Sequence, residues 1–334
     1  MIAARFPDGR LHLQHGPIDL IVEAFGASTE VEAAYRQAID RFGDILPTLV
    51  RELPTLRRPI GAAYPLLQGP VARRMAEAVW PHRAVFITPM AAVAGAVADE
   101  MLQAMLTGRT LDKAYVNDGG DIAIHLASGH NLRAGIFAEA LDGAVTLTHD
   151  RPVRGIATSG RGGRSFSLGI ADSATVLART AAAADAAATL IANAVDIDHS
   201  AIERRPAREL DPDSDLGDLP VTVTIGDLPR DAVDTALDRG LAEARRLRRL
   251  GLIDSAAISL KGRWRLCHPE RSEGSHGVPT STSIASGDKA LRFAQDDRLA
   301  LLRAALEEGE ASGDAGPFDF EAFIAGRRRL HMER

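Results

Sequence analysis

The feature that most restricts the fold is a pair of alternating apolar stretches around a tight turn near the start of the chain. Apolar and polar side chains alternate over residues 11–14, and the alternation resumes over residues 18–24 after a His-Gly-Pro turn. A period of two is typical of strands that bury one face. A turn this short joins antiparallel neighbours. We therefore predict that the chain begins with an antiparallel strand pair.

Helix and strand patterns then interleave up to residue 260. Ser28 and Thr29 can cap a helix whose apolar residues recur from Ile39 to Leu53, although Pro47 is expected to interrupt it because proline removes a backbone donor. Several neighbouring strands are joined by short turns. We therefore predict an α+β fold with largely antiparallel sheets packed against helices, not a doubly wound parallel sheet.

Composition and charge exclude several classes of protein. Hydrophobic residues make up 46% and charged residues 25% of the 334 residues, which is enough for a sizeable core. The net charge of −6 and the lack of a long basic block argue against a nucleic-acid partner. Cys267 is the only cysteine, so neither an internal disulfide nor a thiolate metal cluster is expected. The first residues lack an apolar leader and no stretch has transmembrane length, so we expect a cytoplasmic protein without a membrane anchor.

The composition changes near residue 267, which divides the chain into three segments. Residues 1–266 are predicted to form the main domain. Residues 267–297 have few apolar side chains and no helical or strand period, so we predict a disordered insertion. Residues 298–334 contain a helical pattern and are predicted to form a C-terminal tail.

The stretch YVNDGGDIAIHL over residues 115–126 places two glycines between two aspartates, directly before a strand pattern. Asn, Asp and Gly tolerate positive φ, so residues 117–120 could simply form a tight turn. Bare backbone beside carboxylates could also accept a ligand. Both interpretations remain open for this stretch taken alone.

Two further stretches could bind a phosphorylated ligand. The loop 155–165 combines four glycines with arginines at 161 and 164, which suits a phosphate but is also typical of a surface loop. On the alanine-rich helix 181–195, Asp185 and Thr189 share one face and could supply oxygen ligands to Mg²⁺. Alternatively, Asp185 could pair locally and Thr189 could bond back to the helix backbone.

The remaining candidates have simpler explanations. Gly95 and Asp99 lie on a small-residue helix, where tight helix packing is the alternative to ligand contact. The cluster Asp196, Asp198 and His199 follows the alanine-rich helix and fits a solvated helix end. No H-E-x-x-H or His/Cys spacing supports zinc, and no G-x-S-x-G motif supports a serine hydrolase.

Taken in order, these stretches resemble the ApbE superfamily, which is known for FAD:protein FMN transferases. The family pattern has glycine and aspartate four apart on a small-residue helix, then N-x-G-G-D, then T-S-G, and finally A-D-x-x-x-T on a helix. The matching residues here are Gly95 and Asp99; Asn117, Gly119, Gly120 and Asp121; Thr158, Ser159 and Gly160; and Ala184, Asp185 and Thr189. The resemblance covers roughly residues 6–262, and stretches such as LQHGPIDLIV and DPDSDLGD indicate a UPF-type side branch.

The resemblance implies a T-fold-like domain, FAD as substrate or ligand, and Mg²⁺. FAD would lie against the N-x-G-G-D strand and the T-S-G loop, contacting Asn117, Gly119, Gly120, Asp121, Thr158, Ser159 and Gly160. Asp185 and Thr189 would hold Mg²⁺ over the pyrophosphate while FMN passes to a serine or threonine hydroxyl of an acceptor protein. The sequence does not fix the oligomeric state, and a homo-oligomer is compatible with it.

Two departures from the family pattern keep alternatives open. Family transferases carry a lysine just before the helix glycine, where this chain has Ala94, and a histidine after T-S-G, which this chain lacks. The hypotheses are therefore a Mg²⁺-dependent flavin-nucleotide enzyme, a flavin- or metabolite-binding module without transferase activity, and an unrelated small-molecule reaction on the same fold.

Overall fold

A computed structural model describes residues 1–138, 141–163 and 165–268 of the chain. The strands are β1 (Ile2–Arg5), β2 (Leu11–His15), β3 (Ile18–Phe25), β4 (Lys113–Asp118), β5 (Asp121–Leu126), β6 (Asn131–Ala138), β7 (Leu141–Thr148), β8 (Gly155–Ser159), β9 (Ser173–Ala178), β10 (Ile202–Pro206), β11 (Pro220–Ile225), β12 (Ser255–Leu260) and β13 (Arg263–Cys267). The α-helices are α1 (Ser28–Leu56), α2 (Pro70–Val79), α3 (Val93–Leu106), α4 (Ala181–Ala194), α5 (Ala207–Leu210) and α6 (Arg230–Arg249). Short 3₁₀ helices span Trp80–His82 and Pro89–Ala92.

Nine strands form one sheet in the order β1-β2-β3-β4-β5-β8-β9-β12-β13, while β6–β7 and β10–β11 form separate two-stranded ladders. Every strand pairing in the described ranges is antiparallel. The strand pair predicted at the start of the chain is β2 and β3, joined by the turn between His15 and Ile18. The predicted α+β class with largely antiparallel sheets is confirmed.

The helices bury one side of the sheet in two apolar clusters. The first cluster joins the inward residues of β3 and β4, such as Leu20 and Val116, to α1, α2 and α3. The second joins β8, β9 and β12 to α4 and α6.

Helix α4 lies between the two clusters and contributes to both. Ala182 and Ala186 belong to the first cluster, whereas Ala184 and Ala187 belong to the second. A helix packed on several sides needs short side chains to let its neighbours approach, which explains the alanine-rich sequence. At Gly155 of β8, a Cβ atom would lie 2.1 Å from the backbone of the residue just before α4, so strand and helix are in direct backbone contact.

The predicted interruption at Pro47 is wrong, because α1 continues without a break from Ser28 to Leu56. A proline inside a helix costs about 3 kcal/mol. Burial of Phe42, Ile45 and Leu49 on the core-facing side offsets this, since each fully buried side chain contributes about 1.5–3 kcal/mol.

The described part of the chain ends just after β13. Its last strand residue, Cys267, is buried in the second cluster, one residue beyond the predicted end of the main domain at 266. From residue 269 onward, the predicted insertion and the predicted tail 298–334 lie outside the described residues. None of the helices within the described ranges combines the length and apolar character that a membrane crossing requires.

Candidate functional site

The N-x-G-G-D stretch is the tight turn that joins β4 to β5. The Asn117 side chain accepts a hydrogen bond of 2.8 Å from the Gly120 N–H, and Asp118 pairs with Asp121 across the turn. Gly119 and Gly120 have φ values of 65° and 117°, which disfavour residues with a Cβ atom. The stretch therefore does form a tight turn. This turn places the backbone of two glycines at the end of β4 and β5.

Asp121 connects this turn to the T-S-G loop. Strands β5 and β8 pair through only two residues on each side, Ile122 and Ala123 with Ile156 and Gly155. Where the two strands separate, the Asp121 carboxylate accepts a hydrogen bond of 3.2 Å from the Thr158 N–H. This side-chain hydrogen bond thus takes the place of the backbone pairing that β5 and β8 lack here. The N-x-G-G-D turn and the T-S-G loop, which are far apart in sequence, therefore lie next to each other.

The T-S-G loop packs closely against the backbone of Asp172. A Cβ atom at Gly160 would lie 2.5 Å from the Asp172 carbonyl oxygen, and its φ is 152°, so this position requires glycine. The Thr158 hydroxyl lies 2.9 Å from the Thr175 hydroxyl on β9. Arg161, which could serve a phosphate or simply belong to a surface loop, pairs with Asp172 at 3.0 Å. Arg164 lies outside the described residues.

Helices α3 and α4 cross closely and cap each other. The two Asp99 carboxylate oxygens accept hydrogen bonds of 3.0 and 2.9 Å from the N–H groups of Ala181 and Ala182, the first residues of α4. In return, Asp185 on α4 accepts a bond of 3.1 Å from the Gly95 N–H in the first turn of α3. Each carboxylate satisfies donors that a helix N-terminus leaves without a partner inside the helix.

The charge of Asp185 is unfavourable in this position. Burial raises the pKa of its carboxyl to about 7, and the nearby charges of Asp118 and Asp99 act in the same direction, whereas the N–H groups of Gly95 and Ala94 oppose the rise. Burial also raises the pKa of Asp99, against the effect of its two capping bonds. The site therefore concentrates acidic groups in surroundings that disfavour negative charge.

The sequence reasoning missed Asp118. This residue is 3% exposed and pairs with Leu20 of β3, so its side chain lies on the helix-covered side of the sheet. The pKa of Asp185 responds to the charge of Asp118, so the turn between β4 and β5 is electrostatically coupled to α4. Its position inside the N-x-G-G-D motif was the available signal, but an aspartate in a turn usually serves the turn itself.

These carboxylates have the chemistry that Mg²⁺ requires. The described part of the chain contains no group of three or more His, Cys, Asp or Glu side chains that could hold a metal ion. Mg²⁺ does not need such a group, since it usually keeps several waters and takes one or two carboxylates plus phosphates. A cation beside Asp185 would favour the charged form of its carboxyl, which burial and the charges of Asp118 and Asp99 disfavour. The residues predicted to hold it are Asp185 and Thr189, which is half-buried one turn further along α4.

The raised pKa of Asp185 predicts how stability depends on pH in the absence of divalent cations. The folded protein keeps this proton up to about pH 7, while the unfolded chain releases it near its ordinary value of 3.8. The stability that this bound proton gives the folded protein is therefore fully present below about pH 4, and it is lost as pH rises to about 7.

We expect Asp185→Asn, which does not titrate, to gain roughly 1–2 kcal/mol of unfolding free energy relative to wild type between pH 5 and pH 7. The measurement is urea unfolding in EDTA at several pH values. Asp198→Asn, at an exposed position after α4, serves as the control and should show no such trend. A difference between Asp185→Asn and wild type that is independent of pH would contradict the prediction.

Comparison with protein families gives two matches. The family described as AbpE bacteria matches residues 3–266. A family described as Bacterial antitoxin of ParD toxin-antitoxin type II system and RHH matches residues 274–332, which lie outside the described residues.

Similar curated proteins come from archaea and are called UPF0280 proteins. The one from Methanothrix thermoacetophila is 41% identical over 135 residues, which are 39% of this chain and 54% of that protein. The one from Archaeoglobus fulgidus is 40% identical over 131 residues, which are 38% of this chain and 51% of that protein. The chain thus spans about half the length of these relatives.

Solved structures show a weaker similarity. A variant of the flavin transferase ApbE from Vibrio cholerae is 11% identical with a TM-score of 0.40, over 77% of this chain and 96% of that one. The ApbE protein from Thermotoga maritima is 17% identical with a TM-score of 0.34, over 75% and 78%. Values this low carry no inference about function.

Proposed function

The chain belongs to the AbpE bacteria family, within an ApbE-like superfamily that includes a UPF0280 branch, and from this premise we propose that it is a Mg²⁺-dependent flavin-nucleotide protein. Its substrate is FAD. The reaction cleaves the pyrophosphate and transfers FMN to a serine or threonine hydroxyl of an acceptor protein, with hydrolysis to FMN and AMP as the related outcome when water is the acceptor.

The chain's own residues divide this task between two groups. The backbone of Gly119 and Gly120 and the residues Thr158, Ser159 and Gly160 provide the surface that accepts the flavin nucleotide. Asp185 and Thr189 would hold Mg²⁺, and the cation would supply positive charge to neutralise the diphosphate. Asp121 positions the loop through its bond to the Thr158 N–H.

In the transfer step, the hydroxyl of the acceptor protein is the nucleophile. The hydroxyl oxygen forms a new bond to the phosphorus that carries the riboflavin group. The bond from that phosphorus to the bridging oxygen breaks, and AMP leaves with that oxygen. The hydroxyl proton is released to solvent or to the leaving phosphate.

One observation carries the proposal: the predicted motifs, which are dispersed along the sequence, converge in the fold. The Asp121–Thr158 hydrogen bond joins the turn to the T-S-G loop, and Asp118 beside the turn interacts electrostatically with Asp185. Burial raises the pKa of Asp185, and the charges of Asp118 and Asp99 beside it act in the same direction. Such perturbed groups are common at functional sites.

A second candidate function is flavin binding without transfer. Ala94 stands where family transferases carry a lysine, and no histidine follows the T-S-G motif before β9. A missing acid–base or positioning group typically lowers a rate by about 10²–10⁴-fold. A protein that lacks this lysine and histidine can still bind the flavin nucleotide although it no longer transfers FMN.

The test is to incubate the full-length protein with FAD and MgCl₂ and to measure AMP release and covalently bound FMN. We expect AMP to form with Mg²⁺ and to be absent in EDTA. Tight FAD binding without AMP would support the binding module instead. If the protein binds no flavin nucleotide under these conditions, both functions are contradicted.

A further inference from the structure

Asp118 is a buried acidic residue to which the proposed function gives no role. It is the last residue of β4 and is only 3% exposed. A buried carboxylate is costly unless it is neutralised, hydrogen-bonded or bound to a metal ion. The tight turn that follows β4 is formed by the Asn117 side chain and two glycines, so an acidic side chain at position 118 is not needed to make the turn.

The register of the sheet determines the side on which Asp118 lies. Asp118 pairs with Leu20 of β3, and Val116, two residues earlier, pairs with Val22. Leu20, Val22 and Val116 all belong to the first apolar cluster, which the helices cover. Residues that pair directly across two strands, or lie two apart in one strand, share a face of the sheet. The Asp118 side chain therefore lies in the layer between the sheet and the helices.

Helices α3 and α4 cover the sheet on this side. Helix α3 packs on β4 and β5, and α4 packs on β5 and β8. Where the two helices cross, Asp185 of α4 accepts the bond of 3.1 Å from the Gly95 N–H of α3. Asp118 thus enters the layer from the sheet, and Asp185 enters it from the helices.

The two carboxylates are close enough to interact electrostatically. Among the charged groups that raise the pKa of Asp185, Asp118 has the largest effect, ahead of Asp99. Both oxygens of Asp99 already cap α4, which leaves Asp118 as the acidic neighbour that can share a ligand with Asp185. Asp185 and Thr189 are half-buried, so an ion can reach them from solvent.

Two acidic groups that face each other in such a layer need a positive charge or a shared proton between them. A divalent cation meets this need and uses both groups, since Mg²⁺ commonly takes one or two carboxylates together with waters and phosphate oxygens. The Thr189 hydroxyl, one turn after Asp185 on α4, adds a neutral oxygen that a cation can use and that a shared proton does not require.

We propose that Asp118 is a second carboxylate ligand, direct or through a bound water, of the divalent cation assigned to Asp185 and Thr189. The inference rests on the proposed function, because that function supplies the cation. The cation would then connect the N-x-G-G-D turn to α4. The backbone that accepts the flavin nucleotide and the ion that neutralises its diphosphate would belong to a single site.

The experiment measures Mn²⁺ binding to the full-length protein by electron paramagnetic resonance, with and without FAD. We expect Asp118→Asn, which keeps the shape of the side chain, to weaken Mn²⁺ binding by at least about tenfold, as loss of a metal-site partner typically does. The control is Asp215, a half-buried carboxylate that accepts a hydrogen bond from the Thr88 hydroxyl and is not among the charges that act on the pKa of Asp185. Asp215→Asn should stay within about twofold of wild type.

The outcomes separate this inference from the proposed function. If Asp185→Ala abolishes Mn²⁺ binding while Asp118→Asn leaves it unchanged, the inference is overturned, the two carboxylates share a proton instead, and the proposed function stands. Equal losses in Asp118→Asn and Asp215→Asn would also overturn the inference, because net charge alone would then explain the effect. A wild-type protein that binds no Mn²⁺ with or without FAD overturns both. Should Asp118→Asn fail to fold, Asp118→Ser replaces it with the same readings.

Discussion

Replacing Asp185 with asparagine is expected to lower the rate of Mg²⁺-dependent AMP release from FAD by at least about 100-fold, since even an outer partner of a bound metal is typically worth 10–100-fold. Asparagine keeps the shape of the side chain and an oxygen that can accept the Gly95 N–H bond of 3.1 Å. What it removes is the negative charge that would hold the cation. The measurement is steady-state AMP formation at saturating FAD over a range of Mg²⁺ concentrations.

The variant also tests the role of charge against that of packing. The same substitution is expected to make the protein more stable near neutral pH. In wild type, burial raises the pKa of this carboxyl to about 7, so the unfolded chain releases the proton more readily than the folded protein does, and asparagine removes that difference. Loss of activity together with a gain in stability would exclude unfolding as the cause. Asp198→Asn should leave the rate unchanged, and full activity in Asp185→Asn would refute the assignment of the cation to this residue.

Replacing Gly95 with alanine is expected to reduce the unfolding free energy by at least about 2 kcal/mol. An added Cβ atom would lie 2.4 Å from the Ala181 carbonyl oxygen and 2.7 Å from the Ala182 nitrogen, so α3 and α4 would have to separate. Separation would also weaken the caps that Asp99 and Asp185 provide, each worth about 1 kcal/mol. The measurement is equilibrium urea unfolding followed by circular dichroism.

A matched control comes from Gly43, which lies inside α1 and where an added Cβ atom would meet no other atom within 4 Å. Gly43→Ala should stabilise the protein by up to about 1 kcal/mol, since alanine has a higher helix propensity than glycine. If Gly95→Ala were as stable as Gly43→Ala, the close approach of α3 to α4 would be contradicted.

Much of the fold followed from local patterns. The alternation in β2 and β3 and the short turn between them act within a few residues, and they predicted an antiparallel pair that is present. The prediction for Pro47 was wrong because it weighed a local preference without the burial of Phe42 and Ile45 on the same helix. Intrinsic propensity is a weak signal when tertiary packing opposes it.

The candidate site was predicted in part. The motifs indicated which residues could take part, but not their partners. That Asp121 contacts the ligand stays a prediction, and the structure adds that its carboxylate bonds to the Thr158 N–H. Arg161, for which phosphate binding and a plain surface loop were both open, pairs with Asp172. Asp118 was not predicted at all, because an aspartate in a turn is usually explained by its own backbone and by solvent.

By itself, the sequence determined the antiparallel α+β class, the glycine positions at the turn and the order of the motifs, because each of these depends on neighbours a few residues away. Only the tertiary structure decided that Asp185 caps α3, that Asp121 binds the T-S-G loop and that Asp215 reaches Thr88. These contacts join residues 90, 37 and 127 positions apart. Their geometry depends on how the whole sheet and its helices pack, which no local pattern encodes.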